Sequence, residues 1–158
     1  CNRRGKMPEP RYRQEKPLSI RFLLKADSLR KERKFAEAEE VCYKGLLKFP
    51  DLLAGRFLYA QINYHLGKQE KARKSLLTVL RNRPDHGGAI KLMCRLLIEL
   101  KEFSRAAEMA EIGLLFHPQD TVIKKLAYYC NPKWLAGLRY IDKLEKLQET
   151  IKTQAAVI

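Results

Sequence analysis

Three prolines spaced 34 residues apart, Pro50, Pro84 and Pro118, constrain this chain more than any other feature. They sit in related segments: Lys48-Phe49-Pro50-Asp51, Asn82-Arg83-Pro84-Asp85 and Phe116-His117-Pro118-Gln119. Twelve residues before each proline stands an alanine, Ala38, Ala72 or Ala106. Twelve residues further back stand Ala26, Ala60 and Cys94, all small. Self-similarity at a fixed period of this length is the mark of a stacked repeat architecture, in which each unit buries its apolar face only against its neighbours.

Each landmark has a physical role. Proline cannot continue a helix and disfavours helical conformation in the residue before it, so each proline closes a unit. Asp51, Asp85 and Asp120 stand where a side-chain oxygen can cap the next helix. Small residues at 26/60/94 and 38/72/106 let two antiparallel helices approach closely. Larger apolar residues at helical spacing fill the space around them, including Phe22, Leu29, Phe35, Leu46, Leu76, Leu80, Met93, Leu97, Phe103 and Leu114. Each unit therefore reads as a helix A, a turn near 32–34, 67–68 or 101–102, and a helix B.

The pattern is similar to the tetratricopeptide repeat (TPR) family. The matching residues are Gly67 at the inter-helix turn, Ala38, Ala72 and Ala106 in helix B, and Pro50, Pro84 and Pro118 at the repeat ends. Arg33 and Lys101 replace the usual turn glycine, and Asn63 stands where an aromatic is common. The resemblance covers residues 18–120. It implies an all-α fold: a right-handed superhelical, TPR-like solenoid of antiparallel helix pairs with a C-terminal capping helix. The units are 18–51, 52–85 and 86–119.

Both ends differ in kind from the repeats. Residues 1–17 carry Arg3, Arg4, Lys6, Arg11, Arg13 and Lys16 among Pro8, Pro10 and Pro17, a composition that builds no core and predicts an extended basic arm. Such an arm is either solvated or ordered against an acidic partner or an anionic lipid surface. A cysteine in first place is what a mature bacterial lipoprotein shows, which would make Cys1 a lipidation site on the periplasmic or outer side. A shortened chain in the cytoplasm gives the same start. Residues 121–158 begin a fourth unit, break at Asn131-Pro132, and continue as an amphipathic segment with Trp134, Leu138, Ile141, Leu144, Leu147 and Ile151. That segment either caps the stack or docks on a partner.

Composition narrows the function classes. Of 158 residues, 32 are Lys or Arg and 18 are Asp or Glu, a formal net charge of +14 that favours anionic partners. The four cysteines, Cys1, Cys42, Cys94 and Cys130, form no CxxC pair, and His65, His86 and His117 are scattered, so no metal site or cofactor is implied. No Gly-rich phosphate loop or nucleophile–base pair points to an enzyme or a small-molecule substrate. Nucleic-acid binding through the basic surface is the alternative reading, resting on net charge alone, since no single-strand or duplex recognition motif is visible.

In the family that the repeats resemble, helix A lines the inner wall. Its register places Leu23, Asp27, Arg30 and Lys31 there in the first unit, Phe57, Gln61, Tyr64 and His65 in the second, and Lys91, Arg95, Ile98 and Glu99 in the third. This mixture suits a protein segment with apolar anchors and some acidic character. Some family members clamp a terminal carboxylate with Lys and Asn from two repeats and a Lys–Arg pair in the third. Lys91 and Arg95 resemble that pair, whereas Leu23 and Asp27 do not meet the first-repeat requirement. The expected function is a non-catalytic scaffold or accessory subunit of a larger, membrane-associated assembly, binding partner proteins through the groove and the basic arm.

Overall fold

The computed structural model describes residues 18–131. Over that span the chain forms seven helices: α1 Leu18–Lys31, α2 Phe35–Lys48, α3 Leu53–His65, α4 Gln69–Asn82, α5 Gly87–Glu99, α6 Phe103–Phe116 and α7 Thr121–Cys130. Residues 1–17, with Cys1 and the basic arm, and the segment carrying Trp134 to Ile151 lie outside the described residues.

The turn inside each repeat follows from one backbone device. Arg33, Gly67 and Lys101 all adopt left-handed φ, at 63°, 69° and 60°. The next amide reaches back to the preceding helix each time: Lys34 N–H to the Leu29 carbonyl at 2.9 Å, Lys68 to Asn63 at 2.9 Å, and Glu102 to Leu97 at 2.8 Å. This is the Schellman closure, which satisfies the last carbonyls of helix A and reverses the chain. Only one of the three sites uses glycine, so Arg33 and Lys101 hold the turn against the steric cost of a Cβ in this region.

The turn between repeats uses proline instead. Amides of Leu52, His86 and Asp120 donate to the carbonyls of Phe49, Arg83 and His117, three residues back, with Pro50, Pro84 and Pro118 second in each turn. Proline's fixed φ suits that position. Of the three aspartates expected to cap, only Asp120 does so. Asp120 accepts from Val122 and Ile123 N–H at 2.9 and 3.1 Å, but Asp51 and Asp85 sit one residue too early, inside the turn. The corresponding cap positions are Leu52, which has no side-chain oxygen, and His86, whose Nδ1 accepts from Ala89 N–H at 3.0 Å.

Small residues bring each antiparallel pair together. Ala26, Ala38, Ala60, Ala72, Cys94 and Ala106 are all fully buried. Around them three apolar clusters follow one another along the stack, centred on Leu46, Leu58 and Ile62, then on Leu76, Leu92 and Leu96, then on Ile90, Leu114 and Ile123. Cys42 and Cys94 donate to the carbonyls of Gly55 and Ala106, and burial pushes both thiols up to about 12, so they stay protonated at neutral pH. The Phe22 ring of α1 lies directly on Gly45 of α2, where an added Cβ would stand 2.3 Å from it.

The backbones of the helices A (α1, α3, α5, α7) each come close to the next helix A, whereas those of the helices B (α2, α4, α6) come close to helices A only. Unequal spacing of the two layers bends the stack, with helices A on the inner wall and helices B splayed on the outer one. Charged pairs tie successive outer helices across the gap. Glu39 of α2 meets Lys68 and, at 3.0 Å, Lys71. One repeat on, Arg73 of α4 meets Glu102 at 3.1 Å. These are the same two positions with their signs exchanged. Burial raises the cost of the Glu39 charge, yet the two lysines hold its carboxyl below the usual range.

Two substitutions test these assignments. Lys101→Gly relieves the left-handed strain and is expected to stabilise the protein by about 1 kcal/mol, raising the melting temperature by about 3 °C. No gain on thermal melting would contradict a strained turn. Asn63 is fully buried, and its Oδ1 has no partner while Nδ2 donates to the Tyr59 carbonyl at 2.8 Å. Leucine occupies the matching positions 29 and 97. Asn63→Leu is therefore expected to stabilise by about 1–2 kcal/mol in urea unfolding.

Candidate partner-binding groove

The wall made by helices A begins with residues that serve the core as well. Leu23 is half-buried against the first cluster, and Phe57, Tyr64 and Ile98 are half-buried against the second. Their inner edges anchor the helices while their outer edges remain available to a partner. Phe57 lies over the start of α5, its ring 4.6 Å from that of His86 and close enough to Gly88 that a Cβ there would stand 2.9 Å from the Phe57 ring. Glycine at position 88 thus lets the Phe57 ring settle onto the neighbouring helix.

Further along the wall, Tyr64 donates its hydroxyl to the Glu99 carboxylate, joining α3 to α5. Burial, with help from Glu99, pushes the Tyr64 hydroxyl up to about 12. His65 stacks on Phe35 with ring centroids 4.8 Å apart and meets the Tyr64 ring edge-on at 5.8 Å. Phe35, His65, Tyr64 and Glu99 therefore form one continuous strip at the end of the wall where helices A terminate. Gln61 is half-buried on α3 between Phe57 and Tyr64.

The charged candidates divide by what already holds them. Asp27 is bridged by Arg30 and Lys31, each at 2.7 Å, and Lys31 foremost, then Arg30, keeps its carboxyl below the usual range. Lys91 reaches Asp120 at 2.7 Å, joining α5 to the cap of α7. Lys91 first, then the Ile123 amide, holds the Asp120 carboxyl low. Arg95 is exposed and has no ion-pair partner among the described residues. Lys91 and Arg95 are thus one helical turn apart but not equivalent: one charge is engaged and the other is available.

Sequence reasoning missed several members of this surface. Phe35, His86, Gly88 and Asp120 complete it, and none was among the twelve positions singled out. For His86 and Asp120 the signal was present, since both follow Leu52 at the 34-residue period and occupy the cap position.

Helix pairs of this length, closed by a left-handed residue and separated by a proline turn, with helices A on the inner wall, define a TPR fold, and this chain has it. No protein-family model and no curated protein matches the chain by sequence. Among solved structures it is similar to the first TPR domain of Spaghetti (RPAP3) bound to an HSP90 peptide, SRMEEVD. That match has a TM-score of 0.68 and 16% identity over 73% of this chain and 92% of that one. It is also similar to the Sgt2 TPR domain from Aspergillus fumigatus, with a TM-score of 0.67 and 15% identity over 78% of this chain and 83% of that one. The second TPR domain of human RPAP3, in complex with an HSP70 peptide, SGPTIEEVD, matches with a TM-score of 0.66 and 17% identity over 72% of this chain and 94% of that one.

The carboxylates on this wall carry a pH dependence. Asp27 and Asp120 have folded-state values below their unfolded ones, so they stabilise the fold at neutral pH. That contribution is lost as pH falls from about 4 through the folded values. Thermal melts from pH 6 down to pH 3 should show falling stability. Asp120→Asn should be less stable than wild type at pH 6 and converge on it toward pH 3. A constant difference across that range would exclude the ion pair as the source.

Proposed function

We propose that this chain is a non-catalytic protein-binding module whose inner wall takes a partner segment with apolar anchors and acidic character. The observation that carries this reading is the juxtaposition of Phe57 and Tyr64, half-buried on α3, with the unpaired guanidinium of Arg95 on the adjacent α5. Aromatic anchors beside an available arginine are the composition on which protein interfaces concentrate their binding energy. Two of the structurally similar domains were solved with the acidic peptides SRMEEVD and SGPTIEEVD, in keeping with an acidic partner.

Clamping of a terminal carboxylate is not the mode this wall supports best. Lys91 already holds Asp120, Leu23 offers no donor, and Asp27 places a carboxylate on the facing helix. Side-chain carboxylates of an internal segment suit Arg95 better. A role as a membrane-anchored accessory subunit rested on Cys1 and the basic arm, outside the described residues, so the proposal is limited to protein binding.

The test is a comparative pull-down with wild type and Phe57→Ala/Tyr64→Ala, after nuclease treatment and a high-salt wash. Partners are expected to remain with wild type and to fall at least tenfold with the variant, about 1.4 kcal/mol or more. Circular dichroism of the variant confirms that the helices persist. Partners that bind both proteins equally would exclude this groove. Loss of all partners to nuclease and salt would favour the basic surface and nucleic acid.

A further inference from the structure

The outer wall holds a cleft of about 490 Å3 between α2 and α4 that the groove does not use. Tyr59 rises from α3 into its lining, and Tyr43 flanks it, the two rings 6.5 Å apart and tilted by 35°. Tyr43 is 52% exposed, a large aromatic surface with nothing on its outer side among the described residues. Glu39, Glu40, Lys71 and Lys74 provide the charged lining.

This cleft belongs to this sequence and not to the fold as such. Ala36 and Ser75 line it, and one repeat on, the equivalent positions carry Glu70 and Met109. Tyr59 is likewise replaced by Met93, and Tyr43 by Leu77. Small residues open the space at the first junction, and bulkier ones occupy the matching positions at the second. Tyr43 packs one side of its ring on Tyr59 and leaves the other over the gap, an apolar surface that a partner's side chain can cover.

The charge around the cleft selects the partner. Glu39 is shared by Lys68 and Lys71, and Glu40 pairs with Lys44, so four lysines, counting Lys74, surround two carboxylates. Lys74 has no ion-pair partner among the described residues. An incoming cation would meet carboxylates already neutralised, whereas an incoming carboxylate finds an unpaired ammonium beside an aromatic surface.

We propose that this cleft is a second protein-binding site, taking an acidic peptide segment that lays an aromatic side chain against Tyr43 and Tyr59 and a carboxylate beside Lys74. The site lies on the wall opposite the groove, so the two can be filled together and the module can bridge two partners.

The test uses the full chain and a fluorescein-labelled peptide, Glu-Glu-Phe-Glu-Glu, blocked at both ends and followed by fluorescence anisotropy. Ala36→Glu with Lys74→Glu installs the residues that the next repeat carries at these exposed positions, so the fold is retained while the cleft loses its opening and its free cation. Wild type offers the peptide the groove as well, so the cleft is read in the Phe57→Ala/Tyr64→Ala background, where the groove's anchors are gone. Phe57→Ala/Tyr64→Ala is expected to bind the peptide saturably, with affinity falling at least about tenfold when Ala36→Glu and Lys74→Glu are added to it. Tyr43→Ala, a change at an exposed side chain, is expected to weaken binding by a similar factor in that background. No saturable binding by the groove variant, or equal binding by it with and without the cleft changes, would overturn the proposal. Equal affinity for Lys-Lys-Phe-Lys-Lys would overturn the acidic preference.

Discussion

The architecture depends on how closely helix A can approach helix B, and six small side chains set that distance. Ala26 against Ala38, Ala60 against Ala72 and Cys94 against Ala106 are all fully buried, with nothing bulkier than the Cys94 thiol in any of the slots. Cys94 adds one atom to its slot, and its thiol is turned to the Ala106 carbonyl. Once each pair is closed, the large residues beside these slots meet the next pair, and the three apolar clusters form in succession. Successive helices A then come close to one another while successive helices B stand apart, and the stack bends. The inner wall and the outer cleft are two results of that one constraint.

Curvature then divides the labour of the side chains. On the inner wall, neighbouring helices are close enough for single residues to span them, as Tyr64 does to Glu99 and Lys91 to Asp120. Those contacts hold the wall's geometry before any partner arrives, so less ordering remains to be done on binding. On the outer wall the spacing is wider, and only long charged side chains reach across. Glu39 and Arg73 bridge there because a methylene chain ending in a hydrogen-bonding group is long enough, whereas an alanine or serine leaves a gap.

Much of the fold was legible in the sequence because its signals are local or strictly periodic. The prolines, the small slots and the helical spacing of apolar residues each act within one repeat, and the left-handed turn was recognisable at Gly67. Arg33 and Lys101 could be placed only through the period, since nothing in their chemistry favours that conformation. The caps were read one residue early at Asp51 and Asp85, because aspartate suits both a cap and the third position of a proline turn. Less of the site was legible. The register put Phe57 and Tyr64 on helix A, but that Lys91 is engaged and Arg95 available depends on a contact between residues 29 apart, Lys91 and Asp120. The outer cleft depends on side-chain volume missing from Ala36 and Ser75 on separate helices, which no local pattern announces.

The exchanged signs of the two outer staples bear on how this repeat array can change length. Glu39 faces Lys68, and Arg73 faces Glu102, in equivalent places. Removing the 34 residues from 68 to 101 would set Glu39 against Glu102. Duplicating that unit would set Arg73 against a second copy of Lys68. Either event confronts like charges at a junction where the parent chain has an attraction. The repeats share a backbone plan but are not interchangeable parts, and the polarity of the junctions records their order along the chain.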